Sequence, residues 1–346
     1  MTTDAPMLVV GEALVDLVLG AEGTTDVHPG GSPMNVAVGL ARLGRDVTLL
    51  TELGDDAYGD LLRRHLAVAG VRLRGPAAAG ATSVARASLA ADGSAQYTFD
   101  VSWTLAGADD IGPAPAHIHT GSLATVVEPG AGRVEAMLES ARASSSISYD
   151  PNVRPTLARH HEEAVARVER LVALADVVKA SAEDVAWLYP DQTIDDVART
   201  WATAGPAIVV ITAGADGAVA ATASGSLLRI DALPVSVADT VGAGDSYMSA
   251  LLDGLARSDL LGPSNRARLR TADDAVVLDV VRWAARAAAI TVSRPGADPP
   301  TTAELLQHEP GHTDGPAQVR GTAAGSPTTR ASTPTPAAAH PERTST

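Results

Sequence analysis

The chain has 346 residues, no cysteine, 45% hydrophobic and 19% charged residues, and a formal net charge of −15. Without cysteine there are no disulfides, thiolate nucleophiles or Cys-ligated zinc sites, and the acidic balance argues against nucleic acid or anionic membranes as partners, since both are bound through Lys and Arg on phosphates. Lys179 is the only lysine beside 25 arginines, and no glycine precedes it, which excludes a Gly-Lys-Ser/Thr phosphate loop.

From the N-terminus, Leu8–Val10 is a predicted strand, and Glu12 and Asp16 interrupt the apolar run that follows it, which argues against a signal segment. No stretch reaches the ~20 apolar residues needed to span a bilayer, so the expected location is cytoplasmic. Further strands are predicted at Val47–Leu50, His117–His119, Ile147–Tyr149, Val177–Lys179 and Ala207–Ile211. Helical periodicity covers Pro33–Leu43, Tyr58–Ala69, Gly130–Ala141, His161–Ala173, Ile194–Ala204, Asp245–Ala256 and Ala275–Ala289. Strands alternating with helices predict an α/β fold: a doubly wound, mostly parallel sheet sandwiched by helices. Val15–Val27 and Val71–Val101 break that rhythm with alternating patterns and Gly-containing turns such as Ala91-Asp92-Gly93. They predict a small inserted β-sheet of antiparallel strands, drawn from about residues 15–29 and 71–104, serving as a lid, a dimer surface or both. From Gln307 to Thr346 the chain is rich in Thr, Pro and Ala with one large aliphatic residue, Val319, and is expected to be a disordered tail behind a 1–306 domain.

Two stretches carry chemistry. In Asp239-Thr-Val241-Gly242-Ala243-Gly244-Asp245, a Gly-x-Gly turn enters a helix, where unpaired N–H groups and the positive dipole end suit a phosphoryl group. Asp245 in that first turn is placed to take a proton from an attacking hydroxyl, or else simply caps the helix. In Gly30-Gly31-Ser32-Pro33-Met-Asn35, Ser32 reads as an N-cap and Pro33 as the first helical residue. The glycine pair lets a ligand approach the backbone, and Asn35 offers a donor and an acceptor to a sugar hydroxyl. His117 and His119 at a strand suggest metal ligands only weakly, with no third ligand apparent; a strand end near the site is the plainer reading. Phe99, Tyr97 and Trp103 read as packing on the inserted sheet in preference to covering a sugar.

Together these stretches resemble the signatures of the ribokinase-like carbohydrate kinases, the PfkB family: Gly30-Gly31-Ser-Pro-Met-Asn35-Val-Ala-Val-Gly-Leu-Ala-Arg-Leu-Gly44 and Asp239-Thr-Val-Gly-Ala-Gly-Asp245. The resemblance covers about residues 6–305. It implies ATP-dependent phosphorylation of a sugar hydroxyl, with Asp245 as general base and Gly242, Ala243 and Gly244 as an anion hole. By the same resemblance Asp16, Gly30, Gly31 and Asn35 hold the sugar, and Thr212, Gly214 and Gly217 form a nucleotide loop. Lys179 and Ser181 fall on the nucleotide side. The family's Asn-x-x-Glu motif stands here as Ser181-Ala-Glu183-Asp184, so Asp184 and Glu183 are the expected carboxylates for magnesium-bound water, or only the acids of an ordinary helix start. Asp239 and the carbonyls of Val241, Thr291, Arg294 and Gly296 match a monovalent cation site for K⁺. The implied cofactors are ATP and Mg²⁺, the implied partners are a small sugar and a second copy of the chain through the lid.

Asp150-Pro-Asn-Val-Arg154-Pro155 and Ser293-Arg294-Pro-Gly296 look most like bacterial fructokinases. Arg154 also suits the carboxylate of 2-keto-3-deoxygluconate, or pairs structurally with a carboxylate. Another sugar or nucleoside kinase and, in a different class, a non-catalytic sugar-binding regulator are the alternatives.

Overall fold

The computed structural model describes residues 5–307 except 20–24, 79, 90–94, 108–113 and 159. Of the tail expected from Gln307, that residue instead ends a helix, and residues 308–346, with the Ala91-Asp92-Gly93 turn, lie outside the described residues. In chain order come β1 (Met7–Val10), β2 (Leu14–Leu19), β3 (Thr25–Gly30), α1 (Ser32–Arg42), β4 (Val47–Leu50), α2 (Ala57–Ala69) and β5 (Arg72–Arg74). Next are β6 (Val84–Leu89), β7 (Ala95–Asp100), β8 (His117–Gly121), α3 (Gly130–Ala141), β9 (Ser146–Asp150), α4 (His161–Leu174), β10 (Val177–Ser181), α5 (Ala182–Leu188), α6 (Ile194–Ala204) and β11 (Ile208–Thr212). Then follow β12 (Ala218–Thr222), β13 (Leu227–Ile230), α7 (Ala243–Arg257), α8 (Arg266–Arg270), α9 (Asp274–Val292) and α10 (Thr302–Gln307).

The main sheet has the strand order β13-β12-β11-β10-β9-β8-β1-β4-β5. It is parallel from β5 to β11, and β12 and β13 add an antiparallel edge. Its central strands are buried at every position because helices cover both faces, even where β8 (His-Ile-His-Thr-Gly) and β9 (Ser-Ile-Ser-Tyr-Asp) carry polar residues. One core layer joins Met7, Val9 and Val177 to α1, α7 and α9. The other joins Leu8, Val10, Ile118 and Ile147 to α3, α4 and α6. With aromatics only 3% of the chain, aliphatic side chains fill both layers.

The parallel, helix-covered sheet follows the expected rhythm, with three differences. Residues 72–74, assigned to the lid, pair with β4 as the edge strand β5 of the main sheet. Trp103 has left the small sheet: its side chain is buried in the second core layer, its indole N–H donating to the Ala124 carbonyl (3.1 Å). The small sheet, β3-β2-β6-β7, consists of two antiparallel hairpins joined by a parallel pair, β2 with β6, where antiparallel strands alone were expected.

The helices α1 and α7 meet at Gly39, where an added Cβ would overlap the Ser249 hydroxyl and lie 2.7 Å from Ser249 Cβ. The Ser249 hydroxyl cannot yield, because it donates to the Ser246 carbonyl (2.9 Å). Gly39→Val is therefore expected to destabilise the protein by about 1–3 kcal/mol through overpacking, seen as a lower urea midpoint at unchanged slope.

Candidate active site

The strand order reverses between β1 and β8: the chain moves from β1 to β4 and β5 on one side and from β8 to β11 on the other. Such a switch point leaves a crevice at the carboxyl ends of the strands, the usual ligand position in an open α/β sheet. Around that crevice stand the segment after β1 (Gly11-Glu12), the end of β9 (Asp150), Lys179 of β10 and the N-terminus of α7.

Asp245 occupies the third position of α7, whose N-cap is Gly242 in the left-handed region (φ 74°). It does not cap the helix. Its Oδ1 accepts from the Ser32 hydroxyl (2.6 Å) and its Oδ2 from the Asn35 amide (2.8 Å), both on the first turn of α1. Ser32 accordingly is not the N-cap of α1 either; that position is Gly31, with no side-chain cap bond. Two sequence signatures some 200 residues apart thus meet at one carboxylate. At the head of α7 the Ala243 N–H reaches the Thr240 carbonyl (3.3 Å), and the Ser246 N–H makes the first helical bond, to Gly242 (2.8 Å). The N–H groups of Gly244 and Asp245, by their place in the first turn, have no preceding helical carbonyl to bond.

Asp16 on β2 lies in the register of β3, opposite His28 and two residues from Leu14, which pairs with Gly30. A Cβ on Gly30 would overlap the Asp16 carboxylate, and one on Gly31 would lie 2.7 Å from the Glu12 carbonyl. The glycine pair is thus what lets Asp16 and the β1 loop sit against the start of α1. Burial raises the Asp16 pKa to about 6, against the nearby positive charges of His28 and Arg154 and with the charge of Asp245. Glu12 is pushed to about 7 by burial, although the Ala124 N–H donates to its Oε2 (3.0 Å). Both values rise because the ionised form loses water. Asp16 is ionised above pH ~6 and neutral below it, so a sugar whose hydroxyl it accepts, as the resemblance implies, is expected to bind about tenfold more weakly per unit below pH 6. Titration calorimetry with the sugar alone between pH 4.5 and 7.5 checks this; an affinity constant down to pH 5 contradicts it.

Lys179 and Asp150 form a buried ion pair, Nζ to Oδ2 at 2.7 Å. Asp150 Oδ1 is buried and has no hydrogen-bond partner among the described residues. Burial raises Asp150 to about 6. Burial works against the Lys179 charge too, but Asp150, Asp245 and Asp184 override it, and its pKa lies above the usual lysine value. At neutral pH both are charged.

Ser181 and Asp184 form a capping box on α5: the Ser181 hydroxyl accepts from the Asp184 N–H (3.0 Å), and Asp184 Oδ2 accepts from the Ser181 N–H (2.8 Å). Asp184 Oδ1 accepts from the Val153 N–H (2.6 Å). Glu183 is exposed and shares a small pocket with Asn152, Arg154 and Trp187. Thr212 ends β11, its hydroxyl donating to the Ala180 carbonyl (3.3 Å), and Gly214 and Gly217 form the turn into β12, both with positive φ. Asp239 ties two loops together, accepting from the Val241 N–H (3.0 Å) and the Gly296 N–H (2.8 Å). Thr291 is buried in α9, and its carbonyl accepts from the Arg294 N–H (3.0 Å). The Arg294 guanidinium is engaged by Asp298 and Glu304.

In the structure Asn35 bonds Asp245 and Gly30 packs against Asp16; sequence reasoning did not find that Ser32 holds Asp245 or that Asp150 partners Lys179. A lone lysine inside an apolar strand was the available signal, since a buried ammonium needs a carboxylate. His117 and His119 are buried within β8 and bonded to Ser146 and Ser148, with pKa values lowered by burial to about 4 and about 3. No group of three or more His, Asp or Glu residues among the described ones could hold a metal ion. No described helix is long and apolar enough to cross a membrane.

The profile of the pfkB family carbohydrate kinases matches residues 5–304. A fructokinase of Klebsiella pneumoniae is 36% identical over 273 residues, covering 75% of this chain and 87% of its own. Among solved structures, a fructokinase double mutant from Vibrio cholerae O395 with fructose, ADP and potassium bound matches with a TM-score of 0.72 at 28% identity, covering 88% of this chain and 97% of that one. Aminoimidazole riboside kinase from Salmonella enterica, with aminoimidazole riboside and an ATP analogue, gives 0.72 at 26% identity over 87% and 99%.

Proposed function

The chain belongs to the PfkB family of carbohydrate kinases, and from that premise we propose that it transfers the γ-phosphoryl group of ATP to a hydroxyl of fructose, with Asp245 as general base. The observation that carries the reading is the placement of Asp245 in the first turn of α7, next to N–H groups without helical acceptors and gripped by Ser32 and Asn35. Asp16 and Asn35 hold sugar hydroxyls and present one of them to Asp245. Asp245 takes that hydroxyl's proton as the oxygen attacks. The head of α7, Gly242 to Gly244, faces the charge that develops on the transferred group. The nucleotide lies along the Thr212–Gly217 turn, and closure of the lid over the sugar keeps out water, the competing acceptor.

The carboxylates at the crevice, Asp16, Asp150, Asp184 and Asp245, outnumber the cations Lys179 and Arg154, an imbalance that suits a divalent ion arriving with the triphosphate. Glu183 is the exposed acceptor for its water ligands, since Asp184 is already bonded at both oxygens. Magnesium supplies neutralisation of the phosphates when bound. The loops that carry the expected potassium carbonyls lie side by side, joined by Asp239. A homodimer through the lid completes the reading; Val18 and Val27 are exposed there.

The test is ADP release, followed by coupled assay, over fructose, 2-keto-3-deoxygluconate, glucose and adenosine. Fructose is expected to give the highest kcat/KM by at least about tenfold, a difference of ~1.4 kcal/mol in transition-state binding. A preference for the keto-deoxy acid would move Arg154 to its carboxylate. No sugar-dependent ADP release would sink the kinase reading for this chain.

A further inference from the structure

We infer that the buried Lys179–Asp150 pair is a positioning device for phosphoryl transfer, fixing an ammonium directly beneath Gly244 at the head of α7. The inference rests on the reading of Asp245 and the Gly242–Gly244 turn given above and adds a component to it.

The sequence meets its positive charge with arginine at 25 positions and with lysine at one. That one is on β10, between buried Val178 and Ala180, with 5% of its side chain exposed. A Cβ on Gly244 would lie 3.0 Å from Lys179 Nζ, so the ammonium packs against the backbone that begins α7. A compact ammonium needs less room there than a planar guanidinium, which is wider and has its donors fixed in a fork. Among the described residues its one hydrogen bond is to Asp150, which leaves ammonium hydrogens directed away from that carboxylate.

Stability gives little reason for such a pair. A buried ion pair is often no better than a well-packed apolar pair of the same volume, because both charges lose their water. Asp150 also keeps Oδ1 buried without a partner among the described residues, a further cost. What the pair provides is a fixed positive charge in a dry place, where it acts strongly on neighbouring charge. The groups that share the space are Asp245 on α7, Asp184 on α5, Asp150 on β9 and the buried His119 on β8, with Asp16 and Arg154 at the sugar side. Lys179 counters negative charge arriving over Gly244. Asp150 fixes where the ammonium sits.

Lys179→Met is expected to lower kcat about 100-fold, the loss seen when one preorganised donor is removed, with the affinity for fructose changed less than about threefold. The loss is expected in kcat and not in KM, because the ammonium faces charge that develops only as the phosphoryl group moves. Since Lys179→Met leaves Asp150 buried and unpaired, the double variant Lys179→Met/Asp150→Asn is measured with it. It holds no isolated charge, is expected to melt close to the parent, and must show the same slow turnover. Near-parental kcat in the folded double variant overturns the positioning role, as does a loss that appears in sugar affinity and KM while kcat is kept. Asp245→Asn run alongside separates the two readings: if it retains turnover, the base assignment falls and this inference with it, whereas an inactive Asp245→Asn beside near-parental kcat in the double variant overturns the Lys179 role alone.

Discussion

Asp245→Asn is expected to lower kcat by about 10³- to 10⁴-fold, the upper range for a lost general base, while sugar affinity stays within a few-fold of the parent. The geometry makes this substitution unusually clean. Asn35 donates to Oδ2 and Ser32 to Oδ1. An asparagine at 245 that keeps its carbonyl oxygen towards Asn35 turns its NH₂ towards Ser32, whose hydroxyl rotates to accept. Both hydrogen bonds survive, so α1 and α7 keep their packing and only the proton acceptor is lost. Rapid-quench measurement of ADP formation, with sugar affinity from calorimetry, checks the two halves of the expectation. Turnover within tenfold of the parent would leave Asp245 a packing residue between two helices.

How far the site was readable follows from what kind of signal each part leaves. Turns, caps and polar residues at helix starts leave strong traces, so Gly242–Asp245 and Gly30–Asn35 stood out. Periodicity located α1 and α7, and the alternation of strands and helices implied the parallel sheet. What joins the two stretches, the Ser32 and Asn35 bonds to Asp245, is a contact across some 210 residues with no local signature. Ser32 was misassigned for a specific reason: a serine before Pro33 satisfies every local rule for an N-cap, and only the partner across the cleft shows that its hydroxyl is otherwise employed. The β12–β13 hairpin left a faint pattern because β12 is Ala-Val-Ala-Ala-Thr, and alanine is a poor strand former. Short, all-exposed β5 was absorbed into the lid because three alternating residues do not say which sheet they pair with. Asp184 shows the opposite limit: spacing matched it to a metal motif, while the local capping box claims one oxygen and the Val153 N–H the other.

The second large effect is expected at Gly242, where conformation and space coincide. Its φ of 74° lies in the left-handed region, which costs a residue with Cβ roughly 1–2 kcal/mol. A Cβ there would also lie 2.5 Å from Ala297 Cβ, on the loop that Asp239 binds through the Gly296 N–H. Gly242→Ala therefore must push the 239–242 turn away from the 294–298 loop, and the turn carries the first N–H groups of α7 with it. Displacing those donors by a fraction of an ångström from the developing charge predicts a 10²- to 10³-fold loss in kcat. Sugar affinity should hold, because Asp16, Gly30 and Asn35 belong to β2, β3 and α1 and do not touch this loop. Gly225→Ala, in the turn between β12 and β13, is the matched control. It has a positive φ of 95° as well, yet an added Cβ meets nothing within 4 Å. It carries the conformational cost without the overlap, so its kcat should fall by less than tenfold. If both variants lose turnover equally, strain alone accounts for the result and the head of α7 is a turn. If only Gly242→Ala does, with both proteins folded and binding sugar alike, the position of those N–H groups is what the reaction depends on.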